Sequence, residues 1–295
     1  MTFFVQNLVN GLSLGSLYAL IAIGYTMVYG ILRLINFAHG DIFMLGAYLT
    51  YYGLIWTSLP WWFVFIMAAL LTALFGILLE RAAYAPLRTE PRIMVLISAI
   101  GASFLMENLG VLLFGGRPRP FPVPELLDFS VKVGGISFNV IQIVIPVVTA
   151  LLLLALYFLV TKTKTGMAMR ALATDYEAAS LMGININKII SFTFFIGSGL
   201  AAIGGTLYAC RYPQLMPLMG MMPGIKCFIA AVIGGIGNLA GAVVGGLILG
   251  FSEILIVAFL PSLNDYRDGF AFVILIIILI FKPAGLFGKN VKEKV

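Results

Sequence analysis

Long apolar blocks fill most of the chain and are separated by short polar segments. A helix needs about 20 predominantly apolar residues to cross a bilayer. Seven blocks are clear candidate spans: residues 8–31, 61–81, 94–114, 139–161, 189–210, 240–260 and 268–282. Two weaker blocks, 41–57 and 225–238, are each a tilted span or a broken helix that enters the membrane without crossing it. The pattern predicts an all-α, polytopic membrane bundle of about eight transmembrane helices, give or take one, in a single domain over residues 1–295.

The composition makes lipid the solvent for most of this chain. Hydrophobic residues make up 61% of the 295 positions and charged residues 10%, and the mean hydropathy is +1.07. Soluble domains average about 45–50% apolar and about 25% charged residues, so these charges are too few to cover a soluble surface. A soluble enzyme, a disordered regulator and a nucleic-acid-binding protein are therefore excluded. The single histidine, His39, and two cysteines leave little basis for a metal site, so no metal or other cofactor is expected.

The positive charges predict the orientation of the chain, because short loops rich in Lys and Arg stay in the cytoplasm. Twelve of the eighteen Lys and Arg residues fall in one alternating set of segments: Arg33, Arg81, Arg88, Arg92, Lys162, Lys164, Arg170, Lys188, Lys282, Lys289, Lys292 and Lys294. The other set holds Arg117, Arg119, Lys132, Arg211, Lys226 and Arg267. We therefore expect residues 162–188 and the C-terminal tail 283–295 in the cytoplasm, and residues 115–138 outside.

Two connecting segments are long enough to predict a structure of their own. Residues 115–138 begin with closely spaced prolines, which predicts an extended external segment with a small hairpin around Gly134-Gly135. Residues 162–188 lack proline and place apolar residues at helical spacing, which predicts an amphipathic cytoplasmic helix. Its most regular part is expected to be a short helix over residues 170–184.

The densest polar cluster beside apolar sequence is Asn36-Phe37-Ala38-His39-Gly40-Asp41. One interpretation is a broken helix in which the backbone and the polar side chains line a translocation path, at Asn36, His39, Gly40 and Asp41. The alternative is a tight turn in which Asn36 or Asp41 caps the following helix and Asp41 pairs with Arg33. As a group, the segment is expected to face a central pathway, because contact with lipid would be costly for its polar atoms.

Glycines are concentrated between residues 234 and 250. Gly237, Gly241 and Gly245 recur every four residues, and on one helix face this spacing lets another backbone approach closely. Close packing of helices is one interpretation of the cluster. The other is unwound backbone near the pathway, at Gly234, Gly235, Gly237 and Asn238.

Four further side chains within apolar blocks could carry chemistry. Glu107 and Glu253 are expected to be polar contacts that face the bundle, with proton relay as the lesser alternative. Cys210 and Cys227 are expected near the external ends of neighbouring segments, where they act as small packing residues or form a disulfide.

No recognisable catalytic motif accompanies these groups. An enzyme needs convergent acid, base or nucleophile groups, and the chain has no zinc-protease, nucleophile-elbow or paired-cysteine spacing. Gly285-Leu286-Phe287-Gly288-Lys289-Asn290 lacks the glycine spacing and the hydroxyl residue of a phosphate-binding loop. We therefore expect neither catalytic residues nor a nucleotide site. If the chain pumps, another subunit supplies the energy.

The segment Glu177-Ala178-Ala179-Ser180-Leu181-Met182-Gly183 resembles the EAA coupling loop of ATP-binding-cassette (ABC) importer permeases. In those proteins the loop forms a short helix that docks into a groove of the ATPase subunit. The resemblance implies docking residues at Glu177, Ala178, Ala179 and Gly183, with Gly183 ending or bending the helix. The later Ile-x-Leu-Pro element of maltose-type permeases is absent. A helix that lies on anionic lipid is the alternative for this segment.

A second resemblance covers roughly residues 5–285. Its motifs are Asn10-Gly11-Leu12-Ser13-Leu14-Gly15-Ser16-Leu17-Tyr18-Ala19-Leu20, Asn36-Phe37-Ala38-His39-Gly40-Asp41, Leu45-Gly46-Ala47-Tyr48, Arg170-Ala171, Gly183-Ile184-Asn185, Gly234-Gly235-Ile236-Gly237-Asn238 and Gly241-Ala242-Val243-Val244-Gly245. Together they resemble the LivH-type branched-chain amino acid permeases of bacterial ABC importers. The resemblance implies transport of leucine, isoleucine and valine across the inner membrane. It also implies a LivM-like second permease or a second copy, two ATP-binding subunits and a periplasmic substrate-binding protein, with membrane lipid around them and no nucleic acid.

Other functions remain open at this point. Within the same importer class, the substrate could instead be urea, a short-chain amide or another amino acid. From other classes, an ATP-independent secondary transporter would depend on an ion gradient, and an intramembrane enzyme would need the catalytic groups that the chain lacks.

Overall fold

The computed structural model describes residues 2–88, 90–133 and 136–288. Within these residues the chain forms eleven α-helices: α1 (Thr2–Leu32), α2 (His39–Trp56), α3 (Trp61–Leu79), α4 (Arg92–Phe114), α5 (Ile141–Lys162), α6 (Lys164–Thr174), α7 (Tyr176–Leu181), α8 (Ile186–Arg211), α9 (Met221–Gly234), α10 (Leu239–Phe259) and α11 (Arg267–Phe281). Helix α3 continues through a π-helical turn, Glu80–Tyr84, and a 3-10 turn, Ala85–Leu87, and a second 3-10 segment, Pro261–Tyr266, precedes α11.

Six of the helical segments in the described part of the chain are long and apolar enough to cross a membrane: Thr2–Leu32, Trp61–Leu87, Arg92–Phe114, Ile141–Lys162, Ile186–Arg211 and Leu239–Phe259. Shorter helices accompany them, since α2, α9 and α11 have 18, 14 and 15 residues. The protein is therefore an all-α, multi-pass membrane protein, as predicted. The two weak blocks correspond to α2, which follows an irregular connection, and to α9, which ends at Gly234.

Helix α1 lies at the centre of the bundle. Its residues are buried without interruption from Ser13 to Val28, and it contacts α5, α8, α9 and α10. A Cβ atom at Gly15 would lie only 2.9 Å from the Cα atom of Leu247 in α10. Because glycine has no side chain, the two helix backbones can approach this closely.

The glycines of α10 serve two helix contacts. Gly241 and Gly245 face α9, and Gly246 and Gly250 face α1. This arrangement agrees with the packing interpretation. The predicted four-residue repeat is wrong in one respect, because Gly237 precedes α10 and has a φ of +89°.

Short strands structure the segments that are predicted to be external. Strand β1 (Arg119–Pro120) pairs antiparallel with β4 (Gln214–Leu215), which connects the segment after α4 to the segment after α8. Strands β2 (Ser130–Val133) and β3 (Ile136–Asn139) also pair antiparallel, as a hairpin requires. The predicted turn at Gly134-Gly135 lies outside the described residues, as do residues 289–295 of the predicted tail.

The segment predicted as one cytoplasmic helix consists of two helices, α6 and α7. Asp175 separates them because its backbone is extended and its side chain accepts a hydrogen bond of 2.9 Å from the amide of Ala178, which caps α7. The expectation of one helix over residues 170–184 is therefore wrong. Its predicted end is confirmed: Gly183 has a φ of +80°, and its amide donates to the carbonyl of Ser180.

Candidate functional site

The polar connection between α1 and α2 is an irregular turn held by long-range contacts. The side-chain oxygen of Asn36 accepts a 2.7 Å hydrogen bond from the hydroxyl of Tyr84. The carboxylate of Asp41 accepts one of 2.5 Å from the hydroxyl of Ser103 in α4. Neither side chain caps α2, whose N-cap residue is Ala38. The predicted capping is therefore wrong, because both polar groups are engaged by other segments.

The predicted pair of Arg33 and Asp41 is also absent from the described structure. Arg33 has a φ of +53°, and its guanidinium donates to the carbonyl oxygen of Ala173 at 3.3 Å. Arg33 thus contacts the end of α6, whereas Asp41 points to α4. The turn contacts α6 through Arg33 at one end and α4 through Asp41 at the other.

His39 anchors the start of α2 against the central helix. Its side chain is buried, and its Nε2 atom lies 3.2 Å from the carbonyl oxygen of Ile21. Gly24 makes room for the ring, because a Cβ atom there would lie 3.0 Å from an imidazole carbon. The ring of Tyr25 packs edge-on against the imidazole, with ring centroids 5.5 Å apart. These contacts give His39 a positioning role between α1 and α2.

A cavity of about 430 Å³ opens beside this turn. Its polar groups belong to Tyr25, Asp41, Ser103 and Glu107. Its apolar wall comes mainly from α4, α9 and α11: Ile100, Phe104, Ile225, Phe228, Ile229, Phe272 and Leu275. Such a cavity can receive a small solute with a cationic end and an apolar end, because carboxylates and apolar side chains face the same space.

Tyr25 adds an unused polar group to this cavity. Its side chain is 3% exposed, and its hydroxyl oxygen is buried with no hydrogen-bond partner among the described residues. A buried hydroxyl without a partner is costly, so this group is suited to a ligand or to water.

The cavity is bounded by a close crossing of α2 and α9. A Cβ atom at Gly40 would lie 2.5 Å from the carbonyl oxygen of Gly220 and 3.2 Å from the Cα atom of Gly224. Gly40 therefore permits backbone contact rather than a change of direction within α2. The sequence interpretation missed Gly220, Gly224, Tyr25 and Ser103. The four-residue spacing of Gly220, which precedes α9, and Gly224, which lies in it, was an available signal for close packing.

The second predicted part of the pathway lies elsewhere. Gly234, Gly235, Gly237 and Asn238 form a tight turn between α9 and α10, with φ values of +101° at Gly235 and +89° at Gly237. Asn238 caps α10 by accepting from the amide of Gly241 at 3.0 Å. Among the described residues that line the cavity at Asp41, none comes from this turn.

A chain segment after α11 covers this turn. The amides of Leu286 and Phe287 donate to the carbonyl oxygens of Ile233 and Gly234 at 2.8 and 3.0 Å. The side chain of Asn238 donates to the carbonyl oxygen of Phe287 at 3.2 Å. The glycine turn and the polar cluster are therefore two separate features.

Glu253 belongs to a buried charge cluster. Its carboxylate accepts from Lys226 at 2.9 Å and from the hydroxyl of Tyr18 at 2.8 Å. Lys226 also lies 2.6 Å from a carboxylate oxygen of Asp268. The prediction that Glu253 makes polar contacts inside the bundle is confirmed. Glu107 does not belong to this cluster; it is half-buried and lines the cavity beside α2.

The two cysteines are buried and free. Cys210 lies in α8 and Cys227 in α9. Of the two interpretations, the structure supports small packing residues.

Helix α7, which is predicted to be cytoplasmic, presents an apolar end. Leu181 is 89% exposed and Met182 is 83% exposed, and Glu177, Ala178 and Gly183 are exposed as well. Ala179 is buried against its own chain, so its predicted role as a surface contact is wrong. The sequence motif drew attention to the small residues and missed the two large apolar ones.

A multi-pass helical bundle with a solute-sized cavity between its helices has the architecture of a membrane transport subunit. The family model described as "Branched-chain amino acid transport system / permease component" matches residues 7–279. The chain therefore belongs to this family, as its motifs predicted, and it is a non-enzymatic transport subunit.

Individual relatives match along almost the whole chain. The high-affinity branched-chain amino acid transport system permease protein LivH of Salmonella typhimurium is 42% identical, over 99% of this chain and 98% of the relative. BraD of Pseudomonas aeruginosa, a permease protein of the same description, is 41% identical over the same shares. A probable LivH of Methanocaldococcus jannaschii is 30% identical over 94% of this chain and 90% of the relative.

Proposed function

We propose that this chain imports branched-chain amino acids across a bacterial inner membrane, as the permease subunit of an ABC importer. Family membership and the names of the relatives support leucine, isoleucine and valine over urea or short-chain amides. The importer would contain two ATP-binding subunits and a periplasmic substrate-binding protein. A LivM-like permease or a second copy of this chain would complete the membrane part, and the C-terminus would face the cytoplasm.

The cavity beside α2 carries the proposal for the substrate route. A branched-chain amino acid has an ammonium group at one end and an apolar side chain at the other. Asp41 and Glu107 offer negative charge to the ammonium group, and Phe104, Phe228 and Leu275 offer apolar surface to the side chain. The volume of about 430 Å³ lies in the usual range for small-molecule sites, roughly 300–1,000 Å³.

The other predicted pathway residues take supporting roles in this proposal. Asn36 and His39 fix the turn that presents Asp41, and Gly40 brings α2 close to α9. The turn at Gly234–Asn238 borders the cytoplasmic end of the route, because α9 lines the cavity and ends at this turn.

Conformational changes of the ATPase would be transmitted to this chain through α7. The chain has no phosphate-binding loop motif, so a separate ATPase would drive the cycle. Glu177, Ala178 and Gly183 are available on the exposed surface of α7, and Leu181 and Met182 supply the apolar area that a docking contact needs. Movement of α7 would reach the bundle through α8, which begins only a few residues later at Ile186.

Leucine uptake by the assembled importer in vesicles tests the cavity assignment. Asp41→Asn and Glu107→Gln preserve side-chain size and remove the charges that would face the ammonium group. A charged hydrogen bond contributes about 1.5–3 kcal/mol, so each variant should take up leucine about tenfold to a hundredfold more slowly per permease molecule. Glu125→Gln, in an exposed external position, is the matched control. Uptake at the wild-type rate in both cavity variants would contradict the assignment.

Competition distinguishes the substrates. Unlabelled isoleucine and valine should reduce labelled leucine uptake, whereas urea and acetamide at the same concentration should not. Effective competition by urea, without competition by valine, would favour the alternative substrate class.

A further inference from the structure

A groove lies between α3 and α8. Two cavities form it, and both are lined by Phe195. The apolar cavity measures about 410 Å³ and lies between residues such as Ile66, Leu70 and Ile196. The polar cavity measures about 680 Å³ and lies at the end of α3 and the start of α8. The groove is thus apolar at one end and polar at the other.

The polar cavity carries an excess of positive charge. Arg81, Arg88 and Lys188 line it, together with a single carboxylate, that of Glu80. Glu80 is buried and already paired with Arg88, and it accepts a 2.8 Å hydrogen bond from Ser191. No salt bridge occupies Arg81 or Lys188 among the described residues. Two cationic side chains are therefore free to face an anion.

Hydrogen-bond donors are also available at this end. The Nε atom of Arg88 is buried with no hydrogen-bond partner among the described residues. Lys188 lies in the first turn of the 26-residue helix α8, where the helix dipole favours negative charge. The cavity therefore presents positive charge, the positive end of a helix dipole and an unused donor.

The apolar cavity fits a hydrocarbon chain. Its lining residues on α3 are partly open to the surroundings, with Ile66 54% exposed and Leu70 46% exposed. Gly199 on α8 leaves room in the groove. A molecule with an anionic head and an apolar tail would satisfy both ends at once.

We propose that the α3–α8 groove binds one anionic phospholipid, with its phosphate at Arg81, Arg88 and Lys188 and an acyl chain along Phe195 and Gly199. In the predicted orientation this lipid belongs to the cytoplasmic leaflet, where anionic headgroups are concentrated. Helix α8 follows the coupling helix α7 in the chain, and a bound lipid would hold the end of α3 against the start of α8. The proposal does not depend on which solute the permease carries.

Native mass spectrometry of the full-length permease in mild detergent tests the site. The probes are phosphatidylglycerol and phosphatidylcholine with identical acyl chains. We expect at least about fivefold tighter binding of phosphatidylglycerol, and Arg81→Gln/Lys188→Gln should remove this preference. The matched control Arg117→Gln/Lys132→Gln changes two cationic residues of the external segment and should keep it. Equal binding of the two lipids by the wild type would overturn the proposal, as would an unchanged preference in the groove variant.

A second variant separates a lipid from a free phosphate. A Cβ atom at Gly199 would lie 3.6 Å from the Cβ atom of Ala73, an ordinary contact, so Gly199→Leu can fold with its side chain in the groove. It should weaken phosphatidylglycerol binding severalfold and leave the binding of soluble glycerol phosphate unchanged. If glycerol phosphate binds as tightly as the lipid, and Gly199→Leu affects neither, the site recognises free phosphate and the proposal is wrong. Thermal unfolding of each variant without added lipid checks that the bundle is intact.

Discussion

The hydroxyl of Tyr84 donates a 2.7 Å hydrogen bond to the side-chain oxygen of Asn36, and both side chains are buried. Tyr84 ends the π-helical turn after α3, and Asn36 lies in the turn before α2. The contact therefore connects the C-terminal end of α3 to the segment that presents Asp41.

Removal of this hydroxyl should destabilise the protein. Tyr84→Phe leaves the buried oxygen of Asn36 without its donor, and an unsatisfied buried acceptor costs about 1–3 kcal/mol. We expect a lower unfolding temperature for Tyr84→Phe in detergent, together with slower leucine uptake. Tyr157→Phe, at a tyrosine that is 60% exposed, is the matched control and should unfold like the wild type. Identical unfolding of the two variants would show that the contact adds no stability.

The Lys226–Glu253 pair should behave as a unit. Both side chains are buried, and Lys226→Met removes the closest cation of Glu253, which leaves it the exposed Arg267 at 3.7 Å. Loss of one partner of a buried pair costs up to about 3–5 kcal/mol. In the double variant Lys226→Met/Glu253→Gln both charges of the pair are removed, and Asp268 retains Arg267 at 3.7 Å, so part of the stability should return. Thermal unfolding of both single variants and the double variant measures the coupling. Additive losses would contradict it.

The crossing of α2 and α9 should not tolerate a methyl group. Gly40→Ala would place a carbon atom 2.5 Å from the carbonyl oxygen of Gly220, so α2 and α9 must separate. We expect lower stability and at least about tenfold slower leucine uptake for this variant, because both helices line the cavity. Gly101→Ala is the control, since a Cβ atom there meets nothing within 4 Å. That variant should transport normally, and alanine should slightly favour helix α4.

The apolar end of α7 should decide whether the ATPase binds. Leu181→Ala/Met182→Ala removes two exposed apolar side chains, each of which contributes about 1.5–3 kcal/mol when buried in an interface. We expect at least about tenfold weaker co-purification of the ATPase with normal membrane insertion. Met167→Ala, at a residue of α6 that is 61% exposed, should retain the ATPase. Ala179→Trp is a poor test of docking, because Ala179 is buried and the substitution would disturb the fold.

Thiol labelling of intact cells tests the predicted orientation. Cys210 and Cys227 are first replaced by alanine, and single cysteines are then introduced at Thr174 and Asp128. A membrane-impermeant reagent should label position 128 and not position 174. The reverse result would invert the assignment of the cytoplasmic face.

The pattern of apolar and polar residues predicted where the helices lie better than it predicted which helices contact each other. Apolar blocks located nearly every span, because a membrane helix needs a minimum apolar length. The same pattern could not show that α1 is central, because a helix face against lipid and one against protein are both apolar. The partners of Asn36 and Asp41 were unpredictable for the same reason, since Tyr84 and Ser103 lie on other helices.

Some features had local signals that the sequence interpretation did not use. Asp175 has the residue type and position of an N-cap before Tyr176–Leu181, which accounts for two helices where one was expected. Gly183 was predicted correctly, because a glycine after a short helix is a common left-handed end. The cavity at Asp41 could be predicted only in part, because four other helices complete its lining.

The central position of α1 has a consequence for how the protein is made. Translation produces this helix before α8, α9 and α10, which enclose it and emerge from the ribosome much later. Until then its buried hydroxyl groups, Ser13, Ser16 and Thr26, lack three of the helices that the finished α1 contacts. The newly made N-terminal helix must therefore be retained by the insertion machinery or wait in the lipid. Completion of the last third of the chain is what closes the bundle around it.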